Sequence, residues 1–184
     1  MKNRAHMESR EKRLARLRSG NYIEAIETLL NSIANYFNNE ISITPDNYQT
    51  SLLFLGIHAS ILTLSEAFFG LSGKTGYYLF LEKFIDGNTK DTKFSQIANT
   101  LHDWRNVLAH QWLGSIGHRI EYDYKMSEGW KKDGDITIIN PKIYCQHYLN
   151  AFSGNGKIWQ YESILSEAEL SKAKEIIVRK YEHK

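Results

Sequence analysis

The 184-residue sequence has a single cysteine and no long apolar run. Because Cys145 has no second cysteine to pair with, an internal disulfide is excluded and a reducing compartment is the simplest expectation. No unbroken run of about eighteen apolar residues occurs, and no apolar segment follows the basic N-terminus. We therefore expect a cytoplasmic protein with neither a membrane span nor a secretory signal, and no membrane as a partner.

Proline and glycine are also scarce. Two prolines and 12 glycines leave little room for a disordered tail or a long linker. The 42% hydrophobic and 24% charged fractions are ordinary for a globular protein. The length suits one domain with a substantial core. We expect a single domain over residues 1–184.

Positive charge is concentrated at the N-terminus. Residues 1–18 hold seven lysines and arginines against two glutamates, whereas the whole chain carries a net charge of only +2. A basic helix can attract phosphates, so Arg13 and Arg16 are candidate RNA contacts. The alternative is an ordinary solvated helix that begins the fold.

Apolar residues recur at helical spacing through most of the chain. The segment 45–71 is apolar on several faces, which predicts a central helix. Ser166 and Glu169 form a capping box that predicts the start of the last helix. The other predicted helices span 3–18, 21–38, 77–85, 92–113 and 141–149.

The spacing changes after Gly114. Residues 120–126 alternate between apolar and polar, and a second β-rich run, ITIIN, follows a polar loop that contains Trp130. We predict an antiparallel hairpin at 119–140 and treat Trp130 as an exposed, candidate base-stacking residue. The alternative for the hairpin aromatics is packing against helices.

The expected fold class is thus mainly α, a helical bundle with one β-hairpin insertion. The predicted parts of the domain are a basic N-terminal helix at 1–19, a bundle at 20–113, the hairpin at 119–140 and C-terminal helices at 141–184.

The segment LHDWRNVLAHQW has two chemically distinct faces. On an ideal helix, Leu101, Trp104 and Leu108 form an apolar stripe. Asn106 and His110 lie on the opposite face, about 40° apart. A helix of this kind buries one side and leaves polar groups available on the other.

Arg105, Asn106 and His110 match the Arg-Asn-x-x-x-His form of a known signature. At these residues the chain resembles the HEPN superfamily (higher eukaryotes and prokaryotes nucleotide-binding domain). The resemblance covers about residues 20–113. It implies a helical bundle and, as in many members, a metal-independent ribonuclease that acts as a toxin or antiviral defence protein.

The resemblance also implies partners. RNA is the expected substrate, a homodimer the expected assembly and an antitoxin protein a further candidate partner, with no metal and no cofactor required. Family toxins paired with a nucleotidyltransferase antitoxin carry a tyrosine two positions after the histidine. This chain has Trp112 there, so we do not expect silencing by modification of that position.

The motif residues suit RNA cleavage without a metal. Histidine ordinarily has a near-neutral pKa, which suits proton transfer to and from the 2′-hydroxyl and the leaving oxygen, so His110 is the candidate for both transfers. Arg105 offers a permanent charge to the phosphate oxygens. Asn106 is one turn from His110 and is expected to orient it. His102 and Asp103 are secondary candidates.

Spacing also bears on assembly. Arg105 and His110 point about 140° apart on an ideal helix. One chain therefore supplies an incomplete site unless the helix is distorted, and a two-fold dimer would bring two copies of each residue together.

Two other functions remain open. A non-catalytic helical module would bind nucleotide, nucleic acid or protein through the same surface, with Arg105 as an ion-pair partner. An HD-type metal phosphohydrolase would use His102 and Asp103 with His58 and either Asp123 or Asp135.

Overall fold

A computed structural model describes residues 9–42, 49–87, 92–111 and 120–182, without the side chains of residues 110 and 111. Within these ranges the chain is mainly helical and carries one small sheet. The predicted fold class, mainly α with a β insertion, is confirmed.

The helices are α1 (Arg10–Ser19), α2 (Tyr22–Tyr36), α3 (Thr50–Phe69), α4 (Gly73–Phe80), α5 (Ala98–Gln111), α6 (Pro141–Phe152), α7 (Tyr161–Ile164) and α8 (Glu167–Glu182). The strands are β1 (Ile120–Tyr122), β2 (Trp130–Asp133) and β3 (Ile136–Ile139). Wider π-helical turns extend α2 over Phe37–Ile41 and α4 over Leu81–Ile85, and 3₁₀ turns at Phe94–Ile97 and Lys157–Gln160 precede α5 and α7.

Helix α3 is the centre of the bundle, as its apolar composition predicts. It packs against α4, α5, α6 and α8. By length and composition alone α3 could cross a membrane, but 56% of its most apolar window is buried inside the fold. The core that it organises reaches from Leu17 of α1 to Ile177 of α8.

Polar side chains fix the helix starts. Asn21 accepts the backbone N–H of Glu24 at the start of α2. The capping box predicted at α8 is confirmed: Ser166 Oγ accepts the Glu169 N–H, and the Glu169 carboxylate accepts the Ser166 N–H at 2.8 Å. These local contacts depend on residues three positions apart, which is why the sequence discloses them.

Three predicted helix ends lie outside the described residues. The expected starts at 3 and 45 and the expected stop at Gly114 fall in the ranges 1–8, 43–48 and 112–119. The start predicted at residue 92 is wrong, because α5 begins at Ala98 after a 3₁₀ turn. The buried Asp86 carboxylate accepts the backbone N–H of Phe94, which anchors that turn.

The sheet differs from the predicted hairpin. Strand β3 lies between β1 and β2, pairing parallel with β1 and antiparallel with β2. The strand predicted through Tyr124 stops at Tyr122, because the Asp123 carboxylate accepts the Lys125 N–H and turns the backbone. The actual hairpin partner of β3 is β2, with Gly134 at φ 56° between them.

The structure also places Trp130 differently from the sequence-based prediction. It begins β2 instead of lying in a loop, and its ring is half-buried. Its indole N–H donates to the Lys93 carbonyl at 3.1 Å. The prediction of an exposed loop residue is wrong because the polar run WKKD is an edge strand whose outward residues are solvated.

Candidate functional site

Helix α5 is held by its apolar stripe. Leu101, Trp104 and Leu108 are buried, as their spacing predicts. The indole N–H of Trp104 donates to the Tyr122 hydroxyl at 2.6 Å, which joins α5 to β1. The helix also packs against α3 and α4. Its backbone is therefore anchored on several sides, a requirement for a precise site.

Arg105 and Asn106 contact each other on this helix. Arg105 Nη1 donates to Asn106 Oδ1 at 3.0 Å, and both side chains are half-buried. The Arg105 Nε is buried and has no hydrogen-bond partner among the residues that the structure describes. The guanidinium thus has one edge fixed by a neighbour and one nitrogen available to an acceptor.

His110 lies in the last turn of α5 by its backbone. Its side chain is outside the described residues, as is Trp112. The expected contact between Asn106 and His110 therefore stays a prediction. What the backbone shows is that His110 follows Asn106 by one turn on the same helix.

His102 is more enclosed than a residue of an exposed polar face. Its side chain is 9% exposed and its ring centroid lies 4.9 Å from that of His58. Burial lowers the pKa of His102, Asp103 raises it, and Lys74 and Arg105 lower it further. His102 is therefore held neutral beside the motif arginine.

Asp103 forms a surface ion pair. A carboxylate oxygen lies 2.7 Å from Lys74 Nζ, and both side chains are about half exposed. Such a pair contributes little to stability in water. It does give Asp103 a partner other than a metal, and no three His, Cys, Asp or Glu side chains in the described ranges come together as metal ligands. The HD-type arrangement of His58, His102 and Asp103 with Asp123 or Asp135 thus gains no support.

His58 of α3 lies beside His102, with which the sequence grouped it only as a possible metal ligand. It is 1% exposed, stacks on Tyr77 with ring centroids 4.2 Å apart, and neither ring nitrogen has a partner in the part of the chain described. Burial, then the charges of His102 and Arg105, lowers its pKa to about 3. A lone histidine in an apolar helix was the only sequence signal.

The candidate RNA contacts on α1 are engaged within the protein. Arg16 Nη1 lies 2.5 Å from a Glu24 carboxylate oxygen. Arg13 and Arg16 line a cleft of 350 Å³ that also contains Glu24 and Glu27. Nearby, Arg10 donates to backbone carbonyls at the end of α8. These contacts favour the alternative in which the basic helix mainly begins the fold.

The surface has two larger clefts, of 670 and 590 Å³. The first lies between α2, α3 and α8, and the second between the end of α1, the start of α2 and α8. Neither cleft is lined by Arg105 or Asn106. From the motif's place off the apolar stripe we predict that Arg105, Asn106 and His110 line a concave surface, which a second copy of the chain would have to complete.

No family model, characterised protein or solved structure matches the chain. The resemblance to HEPN domains therefore rests on Arg105, Asn106 and His110 and on their place in a helical bundle.

Proposed function

We propose that the chain is a metal-independent endoribonuclease of the HEPN type, with its catalytic residues on α5. The observation that supports this most is the Arg105–Asn106 contact on a helix that also carries His110. Both described side chains are partly accessible, while the stripe on the same helix is buried.

The proposed reaction is attack of a ribose 2′-hydroxyl on the adjacent phosphorus. The hydroxyl loses its proton as the new P–O bond forms, and the 5′-oxygen takes up a proton as the old P–O bond breaks. Histidine suits both transfers because its ordinary pKa lies near neutrality. We assign these transfers to His110.

Arg105 is assigned to the phosphate. Negative charge builds up on the equatorial oxygens in the transition state, and a preorganised guanidinium stabilises it best. The bond from Nη1 to Asn106 restricts the guanidinium before substrate arrives. Asn106 is accordingly a positioning residue for Arg105, in addition to the role toward His110 that the spacing suggests.

The proposed active assembly is a two-fold dimer with the α5 helices at or near the interface. Arg105 and His110 diverge by about 140° on one helix. Two copies arranged around a two-fold axis would supply both residue types to one groove. From the HEPN resemblance we further propose a role as a toxin or in antiviral defence, with an antitoxin protein as a candidate partner.

A second candidate function is a non-catalytic module that binds nucleotide, nucleic acid or protein. The pairing of Arg105 with Asn106 within the helix favours it, since that contact also satisfies a merely structural arginine. The two functions differ in whether His110 is required for a chemical change in RNA.

Incubation of purified protein with mixed RNA in a metal chelator distinguishes them. The wild-type chain should cleave, whereas His110→Ala should lose cleavage by about 100-fold or more. Asn99→Ala is the matched control, because Asn99 is an exposed residue of the same helix. Equal cleavage by wild type and His110→Ala, or no cleavage by any chain, would contradict the proposal.

A further inference from the structure

Within the described residues, α3 and α5 carry four buried nitrogens without hydrogen-bond partners, the rings of His58 and His102 being 4.9 Å apart and Arg105 acting electrostatically on both. The four nitrogens are Nδ1 and Nε2 of His58, Nδ1 of His102 and Nε of Arg105, and none has a hydrogen-bond partner within the described ranges. Buried polar groups in folded proteins are almost always paired, because each lost its bond to water on folding. A concentration of unpaired nitrogens in one place indicates a site for an acceptor.

The charge at this place favours an anion over a metal cation. Burial is the largest cause of the lowered pKa of both His58 and His102, and Asp103 raises the pKa of His102; the permanently charged Arg105 lowers the pKa of both, so it contributes a positive potential at their rings. The nearest carboxylate named in these interactions, Asp103, is paired with Lys74. A metal ion would meet this positive potential with two imidazoles as its ligands, whereas an anion would be attracted by it.

Exposure decreases from the outer to the inner members of the cluster. Lys74 is half exposed and Arg105 is partly accessible, while His102 is 9% and His58 only 1% exposed. An internal phosphodiester needs a groove open on both sides for the continuing chain. A terminal phosphate needs one opening only, and its two negative charges match Arg105 and a protonated histidine better than a single charge does.

We propose that Arg105, His102 and His58 bind the terminal phosphate of a phosphate monoester, with Arg105 at the outer end and His58 at the inner end. The oxygens accept from Arg105 Nε and from the two rings. Since these rings are neutral in the free protein, binding takes up a proton at one of them, and affinity rises as pH falls through the neutral range. The charged and titratable groups that face the rings are Lys74 and Tyr77 of α4 and Asp103 of α5.

The proposed monoester site shares Arg105 with the proposed ribonuclease site, but binding there needs no catalysis. If Arg105 also holds the scissile phosphate, a bound monoester would compete with RNA, and that consequence rests on the proposed function. The ligand's source is either free phosphate or the end of a nucleotide or RNA, and both share the dianionic group.

The test is an NMR titration of the histidine side chains of the full chain, with inorganic phosphate replacing chloride at constant ionic strength. The resonances of His58 and His102 should move together, and the dissociation constant, expressed for the phosphate dianion, should fall at about pH 6 relative to about pH 7.5. His58→Phe keeps the ring that stacks on Tyr77 but has no nitrogen. It should weaken binding about tenfold or more.

Tyr77→Phe is the matched control, because it also perturbs a buried ring beside His58 and removes none of the four nitrogens. It should bind phosphate as the wild type does. Arg105→Gln, which changes a partly accessible residue, should also weaken phosphate binding about tenfold. If His58→Phe does not fold, the phosphate affinity of Arg105→Gln tests the proposal by itself. Unshifted histidine resonances, or equal phosphate affinity in Arg105→Gln and wild type, would overturn the proposal.

A 5′-mononucleotide and a deoxydinucleoside phosphate, which has no 2′-hydroxyl and so cannot be cleaved by the proposed reaction, separate the terminal from the internal group. The mononucleotide should bind like phosphate or more tightly, and the diester about tenfold more weakly. Equal affinity for the diester would overturn the assignment to monoesters. None of these measurements depends on RNA cleavage, so the phosphate site is confirmed or refuted independently of the ribonuclease proposal.

Discussion

Arg105 Nη1 donates to Asn106 Oδ1 at 3.0 Å, so two residues adjacent in the sequence share one contact on α5. The spacing alone suggested Asn106 as a partner for His110, one turn away. The structure shows its oxygen bound to the arginine. Asn106 therefore positions the charged member of the motif, and the first prediction follows from this contact.

Asn106→Ala should lower RNA cleavage by about tenfold, because Arg105 must then be ordered during the reaction. The fold should be little affected, with a change in the free energy of unfolding below about 1 kcal/mol for this half-buried position. Single-turnover cleavage and urea unfolding measure the two effects. Asn99→Ala should change neither. Cleavage by Asn106→Ala at the wild-type rate would remove the positioning role.

Acid should destabilise the protein through His58. Its pKa falls from 6.5 to about 3 on folding, so the unfolded state binds the proton more readily. The stabilising contribution is therefore complete above pH 6.5 and is lost as pH falls from 6.5 toward 3, by up to about 1.4 kcal/mol per pH unit. The lowered pKa of His102 acts in the same direction.

Urea unfolding at a series of pH values checks this sign. The wild type should lose stability steadily below about pH 6.5 in phosphate-free buffer. His58→Phe should show a shallower decline, because one of the shifted groups is gone. Parallel curves for the two proteins would show that His58 does not contribute to the acid sensitivity.

Tyr77 and Tyr144 form a buried pair whose hydroxyl oxygens lie 2.7 Å apart. Burial raises the pKa of both, so each hydroxyl keeps its proton. Tyr77→Phe should cost about 1–2 kcal/mol of unfolding free energy, because the Tyr144 hydroxyl loses its partner. When Tyr144→Phe is added to Tyr77→Phe, the further loss of unfolding free energy should be smaller than the loss that Tyr144→Phe causes in the wild type. Strictly additive losses in urea unfolding would contradict this coupling.

The helices were predictable from the sequence because their signals are local. The stripe of Leu101, Trp104 and Leu108 and the capping box of Ser166 and Glu169 depend on spacings of three and four residues. Their burial and hydrogen bonds match the prediction. Helix α5 and its apolar face thus follow from periodicity alone.

The sheet and the histidine cluster were not predictable in this way. The end of β1 depends on a turn at Asp123, and the parallel pairing of β1 with β3 depends on distant contacts. His58 and His102 come from separate helices that only the tertiary fold brings together. Sequence spacing does not show that the rings of His58 and His102 lie close together in the fold.

The proposed dimer predicts complementation between inactive chains. Light scattering should report a dimer at micromolar concentration. Mixing Arg105→Ala with His110→Ala chains should restore part of the lost cleavage, because a hybrid groove receives one intact copy of each residue. A monomer that cleaves at the full rate, or a mixture as inactive as its parts, would contradict a shared site.

We propose that Arg105 and His110 act as one catalytic unit on RNA. The most direct measurement is the single-turnover cleavage rate, in chelator, of wild type, Arg105→Ala, His110→Ala and the double variant. We predict that each single change lowers the rate by about 100-fold or more and that the double change lowers it little further. If the two residues act as one unit, either single change already removes the catalytic effect of both. Rates that equal the wild type in both single variants would show that the cleavage, if any, arises elsewhere and would contradict the account.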